Sequence, residues 1–231
     1  MINENYRREI KSFAGRAGRL SGFQKLIIEQ SLNHYGCLWP LDQLNQQGIT
    51  TLFPLNQPMI MEIGFGTGDN LIELAKSQPY HNFLGIEVYS PGIANVLNAI
   101  SQFQLSNLRV IKGDAKKVLE QGVGDSSLKA IFLFFPDPCP KKRHHKRRLV
   151  NSDFITLVIS KLQIGGIFHM ATDWQHYADS ITKLLNISEQ LENLIGQADY
   201  NYYLNNRIKT KFEQKGEAKG HQVFDLVFRK S

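Results

Sequence analysis

The chain of 231 residues is long enough for one domain with a sizeable hydrophobic core, and its hydrophobic content of 42% is ordinary for a globular protein. No apolar run is long enough to span a membrane, and the first residues lack the apolar core of a secretory signal, so we expect a cytoplasmic protein. Its two cysteines, Cys37 and Cys139, are far apart in sequence and suggest neither a disulfide framework nor a metal site.

The positive charge is concentrated in one place. The chain has 27 basic and 21 acidic side chains, which gives a net charge of +6. Six of the basic residues lie at positions 141–148, and without them 21 would remain, equal to the number of acids. A local excess of positive charge indicates an anionic partner that binds at one part of the surface, rather than nonspecific binding over the whole surface.

Residues 1–58 are predicted to form a basic N-terminal arm and lead-in. Residues 1–22 combine several arginines with glycines at positions 15, 18 and 22, which predicts an irregular arm. This arm is either a disordered leader or part of an anion-binding surface. Phe23 to His34 is modestly apolar and predicts a helix, and the proline-bounded stretch from Leu52 to Pro58 predicts a loop.

Residues 59–231 show the regular pattern of a single domain. Strands are expected at 59–63, 83–87, 108–111, 130–135, 167–171 and 223–228, and amphipathic helices lie between most of them. Gly165 and Gly166 are expected to end the helix before the fifth of these strands. The alternation predicts an α/β fold with a largely parallel sheet. The last strand follows no crossover helix, so we expect it to pair antiparallel at the sheet edge.

The most distinctive stretch follows the fourth predicted strand. The apolar run of residues 130–135 is typical of a strand that is buried on both faces. It ends at Asp137, which lies between Pro136 and Pro138, and both prolines restrict the backbone to an extended path. The basic run of residues 141–148 comes next. An acid at the carboxyl end of a central strand, beside a cationic loop, predicts a site for an anionic substrate such as RNA.

A glycine loop, Gly64-Phe65-Gly66-Thr67-Gly68, directly follows the first regular strand. Glycines at this point allow a ligand to approach the backbone and a helix N-terminus. A dinucleotide fingerprint would require a further glycine at position 69, where this chain has Asp69. The acids Glu62 and Asp69 instead favour a cationic ligand, such as the sulfonium and ammonium of S-adenosylmethionine (SAM).

Acids also end the neighbouring strands. Glu87 is placed to accept hydrogen bonds from ribose hydroxyls, and Asp114 could reach an adenine amine. A glycine loop accompanied by acids at four successive strand ends is much more specific than a glycine loop alone. The four acids are Glu62, Glu87, Asp114 and Asp137.

With these motifs the sequence resembles the bacterial tRNA (guanine-N7-)-methyltransferase family over most of its length. The Pro-Asp-Pro turn with its basic run and the stretch Thr210-Lys211-Phe212-Glu213 are specific to that family, whereas the glycine loop is shared by SAM-dependent methyltransferases generally. Further matching elements are Gly85-Ile86-Glu87, Ala171-Thr172-Asp173, Gly220-His221 and, in the arm, Arg16 with Gly18-Arg19.

The resemblance implies a Rossmann-like class I methyltransferase fold and methylation of N7 on a variable-loop guanosine, number 46, of tRNA. It implies a catalytic role for Asp137 and no metal. SAM would be bound by Glu62, Gly64, Gly66, Glu87, Asp114 and Asp137. Substrate would be bound by Lys141, Asp173, Thr210, Lys211, Phe212 and Glu213, and RNA by Arg143, His144, His145, Lys146, Arg147 and Arg148.

One position departs from the family pattern. Cys139 stands where the family usually has tryptophan, and a cysteine cannot stack on a base. We therefore expect no aromatic platform at this position.

Three functions remain open from the residues themselves. The first is methylation of guanine N7, which carries a lone pair and no proton and so needs no general base. The second is SAM-dependent methylation of another RNA position or of an exocyclic amine, because a proline-rich acidic turn also serves amine methylation. The third is RNA binding without catalysis. The sequence does not indicate an oligomeric state.

Overall fold

The computed structural model describes residues 19–39, 48–197, 200–202, 205, 207–218 and 220–231, apart from the side chains of Lys211, Phe212 and Lys215. The predicted arm therefore lies mostly outside the described residues. The described strands are β1 (Gly36–Leu38), β2 (Met59–Ile63), β3 (Asn82–Glu87), β4 (Leu108–Lys112), β5 (Leu128–Phe134), β6 (Leu162–Thr172), β7 (Leu191–Asn193) and β8 (Phe224–Lys230). The described α-helices are α1 (Gly22–Tyr35), α2 (Asp69–Ser77), α3 (Ser90–Phe103), α4 (Ala115–Gly122), α5 (Ser152–Lys161), α6 (Gln175–Asn186) and α7 (Lys211–Glu217).

All eight of these strands form one sheet, in the order β1-β4-β3-β2-β5-β6-β8-β7. The pairs from β1 across to β6 are parallel, whereas β8 pairs antiparallel with β6. The predicted α/β fold with a mostly parallel sheet is confirmed, as is the antiparallel orientation of the last strand. That strand is not the outermost one, because the short strand β7 pairs along its free edge. The sequence pattern gave no indication of a strand as short as β7.

Helices pack on both faces of the sheet. Alternating side chains of each central strand enter two separate hydrophobic clusters, as the period of a strand requires. On β5, for example, Ile131 and Leu133 join the cluster with α4, α5 and α6, whereas Phe132 and Phe134 face the cluster with α2 and α3. β5 is buried on both faces along nearly its whole length, as its continuous apolar sequence predicts. No described helix is long and apolar enough to cross a membrane.

The predicted lead-in contributes to the sheet. Helix α1 starts with a capping box at Ser21 and packs against α3. β1 follows directly and pairs with β4, where a Cβ at Gly36 would come within 2.2 Å of the Val110 carbonyl oxygen. The predicted lead-in therefore adds strand β1 to the sheet beyond β4 and helix α1 to the layer that contains α3.

The expected role of Gly165 and Gly166 is wrong. Helix α5 ends at Lys161, and the glycines lie inside β6, which begins at Leu162. The pairing of β5 with β6 is irregular here, because Leu128 pairs with Leu162 whereas the next pair joins Ala130 to Ile167. Gly165 has φ of +76°, which glycine adopts without strain, so the pair accommodates a bulge instead of ending a helix.

Candidate functional site

The glycine loop between β2 and α2 presents its backbone to open space. Gly64 and Gly66 have φ of +70° and +56°, and a Cβ at either position would meet no atom within 4 Å. The loop is closely supported from behind, because a Cβ on Gly92 would lie 1.7 Å from the Gly66 carbonyl oxygen. A ligand can therefore approach the backbone of a loop whose position is fixed by α3.

The carboxylate of Glu87, the last residue of β3, holds this loop in place through a hydrogen bond. Its Oε2 accepts a hydrogen bond of 2.8 Å from the N–H of Gly66, and its Oε1 accepts bonds from the N–H groups of Val88 at 2.6 Å and Tyr89 at 3.0 Å. A carboxylate offers about four lone-pair positions, so one on Oε2 is left for a ligand. The sequence predicted Glu87 as a ribose acceptor, and the structure adds a second role in holding the loop.

These elements surround a cleft of about 800 Å³ at the carboxyl ends of the strands. Its volume lies within the usual range for small-molecule sites, which is roughly 300–1,000 Å³. The cleft brings together three of the predicted regions, namely the glycine loop, the end of β3 and the Pro-Asp-Pro turn. The lining residues at these regions are Gly64, Gly66, Glu87, Pro136, Asp137 and Pro138.

Asp114 lies at the same rim but is engaged locally. Its side chain caps α4 by accepting a hydrogen bond of 2.9 Å from the N–H of Lys116. Its neighbours Gly113 and Ala115 both line the cleft. The carboxylate is therefore next to the cleft, and one of its oxygens stabilises the helix N-terminus.

Glu62, near the end of β2, is buried behind the glycine loop with only 2% of its surface exposed. Its Oε2 accepts a hydrogen bond of 2.8 Å from the Nδ2 of Asn70. Burial raises the pKa of Glu62 to about 7, and the nearby Glu87 acts in the same direction, whereas Asn70 and Arg207 oppose the shift. A cation placed beside Glu62 would stabilise its ionised form.

The Pro136-Asp137-Pro138 turn is tightly shaped. Phe135 and Cys139, on either side of it, have positive φ of 52° and 45°, which is uncommon for residues other than glycine. The Oδ1 of Asp137 accepts a hydrogen bond of 2.9 Å from the N–H of Cys139, and the Cys139 thiol also interacts with the Asp137 side chain. Backbone conformations of this kind concentrate at functional sites, where the surrounding structure enforces them.

Arg148 stabilises this turn, although the family resemblance predicted it to be one of the RNA-binding residues. Its Nε donates a hydrogen bond of 2.8 Å to the Pro138 carbonyl, and its guanidinium lies 4.6 Å from the centroid of the Tyr177 ring. Its Nη2 is buried and has no hydrogen-bond partner. The guanidinium of Arg148 is thus directed into the protein, toward the Pro136-Asp137-Pro138 turn.

The rest of the basic run forms a short 3-10 helix, Lys142–Arg147, on the surface. The cationic side chains of Lys141, Lys142, Arg143, Lys146 and Arg147 are exposed. The two histidines are partly covered, and His145 lies 5.7 Å from the ring of His176 at the start of α6. The loop therefore presents a cationic surface beside α6.

Asp173, which follows β6, lies beside the C-terminal part of α7. We define the substrate segment as residues 207–213, which precede and open α7. The Asp173 Oδ2 is 3.2 Å from the Nδ1 of His221, and a Cβ on Gly216 would lie 3.8 Å from the same oxygen. The structure therefore brings Asp173 and the C-terminal part of α7 together from distant positions in the sequence.

Within the substrate segment, Thr210 and Glu213 form a capping box at the start of α7. Glu213 is only 2% exposed, and its carboxylate also binds the guanidinium of Arg207, with Nη2 at 2.7 Å from Oε1. Glu213 thus holds the segment in shape in this structure. The predicted side chains of Lys211 and Phe212 lie outside the described residues, although both residues belong to α7.

Arg207, which sequence reasoning missed, connects this segment to the sheet. Its Nε donates a hydrogen bond of 2.9 Å to the Oδ1 of Asp225, and the same oxygen is 2.8 Å from the Nε2 of His169. Burial lowers the pKa of His169, although Asp225 opposes that shift, whereas the carboxylates of Glu213 and Asp225 overcome burial and raise the pKa of Arg207. The only sequence signal was a histidine and an aspartate inside otherwise apolar strands.

No group of His, Cys, Asp and Glu side chains in the described part of the chain is arranged to hold a metal ion. Cys37 and Cys139 are both buried and unpaired.

Comparison with known proteins identifies the family. A model of putative methyltransferases matches residues 56–226. The tRNA (guanine-N(7)-)-methyltransferase of Yersinia enterocolitica is 45% identical over 99% of this chain and 95% of its own length. The corresponding protein of Idiomarina loihiensis is 42% identical over 97% of this chain and 90% of its own length.

Solved structures show the same fold at much lower identity. A 16S rRNA methyltransferase, KamB, superimposes with a TM-score of 0.56 at 11% identity, and the match covers 84% of this chain and 97% of that one. This likeness confirms the predicted Rossmann-like class I methyltransferase fold. Together with the full-length similarity to the curated relatives, it shows that the chain belongs to the tRNA (guanine-N(7)-)-methyltransferase family.

Proposed function

We propose that this protein transfers a methyl group from SAM to N7 of a guanine in tRNA, and that the guanine belongs to guanosine 46 of the variable loop. The observation that carries the proposal is the single cleft lined by the glycine loop, Glu87 and Asp137. Relatives 42% and 45% identical along nearly the whole chain are tRNA (guanine-N(7)-)-methyltransferases. Position 46 follows from the family resemblance, and a tRNA substrate is consistent with a cytoplasmic enzyme.

The residues around the cleft suit SAM, which when bound supplies an electrophilic methyl group on a positively charged sulfur. Gly64 and Gly66 leave space for it against their backbone. The remaining acceptor position of Glu87 is suited to one ribose hydroxyl, and Asp114, which lies next to the cleft, is suited to accept a hydrogen bond from the adenine amine. Glu62 lies behind the glycine loop, where its carboxylate would attract the ammonium group.

Asp137 and Asp173 are suited to hold the guanine. N7 carries a lone pair and no proton, so the enzyme has only to align it with the methyl group and exclude water, and such positioning can supply about 7–11 kcal/mol. The purine becomes positively charged as it is methylated. The Asp137 carboxylate, which lines the cleft, can accept a hydrogen bond from guanine and stabilise that charge, and Asp173 can act in the same way from the neighbouring strand end.

The cationic surface of residues 141–147 is suited to hold the tRNA backbone. Its exposed side chains lie directly after the Pro-Asp-Pro turn, so phosphates bound there would bring a nearby nucleotide to the cleft. Such contacts give affinity without reading the sequence, which suits a substrate recognised mainly by its shape.

The proposal is tested by methyl transfer from labelled SAM to tRNA, followed by nucleoside analysis of the product. Labelled 7-methylguanosine supports it. A label in N2-methylguanosine or another nucleoside would instead support methylation of an exocyclic amine or of another RNA position. Binding of tRNA without any transfer would support RNA binding alone.

A further inference from the structure

One buried side chain, Asn70, joins the cofactor side of the site to the substrate segment. Its Nδ2 donates a hydrogen bond of 2.8 Å to the Oε2 of Glu62 on β2. Its Oδ1 accepts a hydrogen bond of 3.1 Å from the N–H of Ile208. Only 3% of Asn70 is exposed; its bond to Glu62 is buried and its bond from Ile208 is partly buried. The amide therefore bridges β2 and a segment that lies 138 residues after Asn70 in the sequence.

Ile208 lies next to the residue that fixes the substrate segment to the rest of the protein. Its neighbour Arg207 binds both Glu213, in the first turn of α7, and Asp225 on β8. The guanidinium also lies 5.4 Å from the ring of Phe134, three residues before Asp137. A shift at Ile208 would therefore be transmitted to the first turn of α7, where the proposed substrate residues lie.

The orientation of the Asn70 amide depends on the charge of Glu62. An ionised carboxylate can only accept hydrogen bonds, so it requires the Nδ2 of Asn70 on its side and leaves the Oδ1 facing Ile208. A protonated Glu62 could donate to the Oδ1 of a flipped amide, and the N–H of Ile208 would then face another donor. The charged groups that influence Glu62 are Glu87, which disfavours its ionised form, and Arg207, which favours it.

We propose that Asn70 is a positioning residue that couples cofactor binding to tRNA binding, because it holds the substrate segment in place when Glu62 is ionised opposite a bound cofactor. The inference rests on the proposed function, in which the cofactor ammonium lies near Glu62 and the substrate segment contacts tRNA. A cationic cofactor stabilises the ionised carboxylate, which fixes the amide and thereby Ile208. Since coupling is reciprocal, bound tRNA should tighten cofactor binding by the same factor.

The test measures the affinity for S-adenosylhomocysteine, which keeps the ammonium group and cannot transfer a methyl group, with and without saturating tRNA. The ratio of the two dissociation constants is the coupling factor. For the wild type we expect a ratio in the usual range of about 5–150. In Asn70→Ala the ratio should fall to within about twofold of one, with the melting transition still cooperative.

Asn95 provides a matched control. Its Nδ2 donates a hydrogen bond of 2.7 Å to the Thr67 carbonyl in the glycine loop, so it supports the cofactor side of the site. Asn95→Ala should therefore keep the wild-type ratio. Asn70→Asp is a second variant of nearly the same size, in which the new carboxylate can still accept from Ile208 but repels Glu62, so its coupling should be lost at pH 8.

The possible results distinguish failure of the coupling role of Asn70 from failure of the proposed function. A wild-type ratio of one, or a wild-type ratio that persists in Asn70→Ala and Asn70→Asp, would overturn the coupling role and leave the proposed function standing. Failure of the wild type to bind either S-adenosylhomocysteine or tRNA would overturn the proposed function and the coupling together. Loss of the ratio in both Asn70 variants but not in Asn95→Ala is the expected result.

Discussion

The Glu87 carboxylate accepts a hydrogen bond of 2.8 Å from the backbone N–H of Gly66, so the acid at the end of β3 holds the glycine loop that follows β2. This contact joins the two parts of the proposed cofactor site. It also means that a substitution of Glu87 acts on the ligand and on the loop at the same time.

We predict that Glu87→Ala weakens SAM binding by roughly 1.5–3 kcal/mol, the usual range for hydrogen bonds to a charged group. The loss combines one ribose contact with the three backbone N–H groups that the carboxylate now holds. Calorimetric titration of SAM measures the change. Unchanged affinity in a variant that folds normally would reject both the ribose contact and the role in holding the loop.

We expect the exposed residues of the basic run to bind tRNA and Arg148 to act differently. Neutralising Lys141, Arg143 and Arg147, whose side chains are exposed, should weaken tRNA binding and reduce its salt dependence. Each lost phosphate contact should lower the slope of log affinity against log salt by about 0.7–0.9. SAM affinity should stay the same. Binding assays across a salt series check this, and an unaltered slope would show that the loop does not contact the RNA backbone.

Arg148→Ala should behave differently from Arg147→Ala. Because the Arg148 guanidinium binds the Pro138 carbonyl and packs on Tyr177, its loss should lower turnover and protein stability with little effect on the salt slope. Arg147→Ala should change the salt slope and leave the melting temperature close to that of the wild type. The same salt series and a thermal melt compare the two variants. Equal effects of both on the slope would contradict the inward role of Arg148.

Glu62 should make folding stability depend on pH. Its pKa in the folded protein is about 7, above the ordinary value of 4.5, so the folded chain binds this proton more tightly than the unfolded chain. The stability that results is fully present below about pH 4.5 and is lost as the pH rises through 7. Glu62→Gln lacks this loss, which for such a shift amounts to about 3 kcal/mol.

Urea unfolding of the wild type and Glu62→Gln without cofactor, at pH 5 and pH 8, measures this difference. The variant should gain stability relative to the wild type at pH 8 and little at pH 5. The same pH dependence in both proteins would mean that Glu62 titrates normally in the folded state.

Asp137→Asn retains the shape of the turn, because the amide oxygen can still accept from the N–H of Cys139. We expect a large fall in kcat with tRNA binding largely retained, since the lost charge matters most as the purine becomes cationic. Single-turnover kinetics with saturating tRNA measure it. Turnover near the wild-type rate would reduce Asp137 to a structural role in the turn.

Much of the fold was predictable because its signals are local. The apolar run of β5 and the glycines after β2 indicate buried strands and a ligand loop from adjacent residues alone. By contrast, strand β7 and the bulge at Gly165 depend on pairing with distant strands, which no local pattern encodes. The last strand was correctly expected to run antiparallel, but the sequence gave no sign that another strand would pair outside it.

The candidate site likewise combines residues that local motifs predicted with residues whose roles depend on distant contacts. The family motifs placed Glu87 and Asp137 at one cleft, and the structure agrees. Arg148 looked like its cationic neighbours in sequence, and only the structure distinguishes it, by its hydrogen bond to the Pro138 carbonyl and its packing against Tyr177. Asn70 and Arg207 lie outside every motif, because their importance comes from bonds to residues far away in the chain.

The most direct test of the account is the identity of the methylated atom. Methylation at N7 leaves a positively charged imidazole ring, so the RNA chain can be cut there by borohydride followed by aniline. After incubation with the enzyme and SAM, treated tRNA should break at one variable-loop guanosine, number 46, and the break should be absent without SAM. Methyl incorporation without that cleavage would contradict methylation at N7 and point to an exocyclic amine or another ring nitrogen.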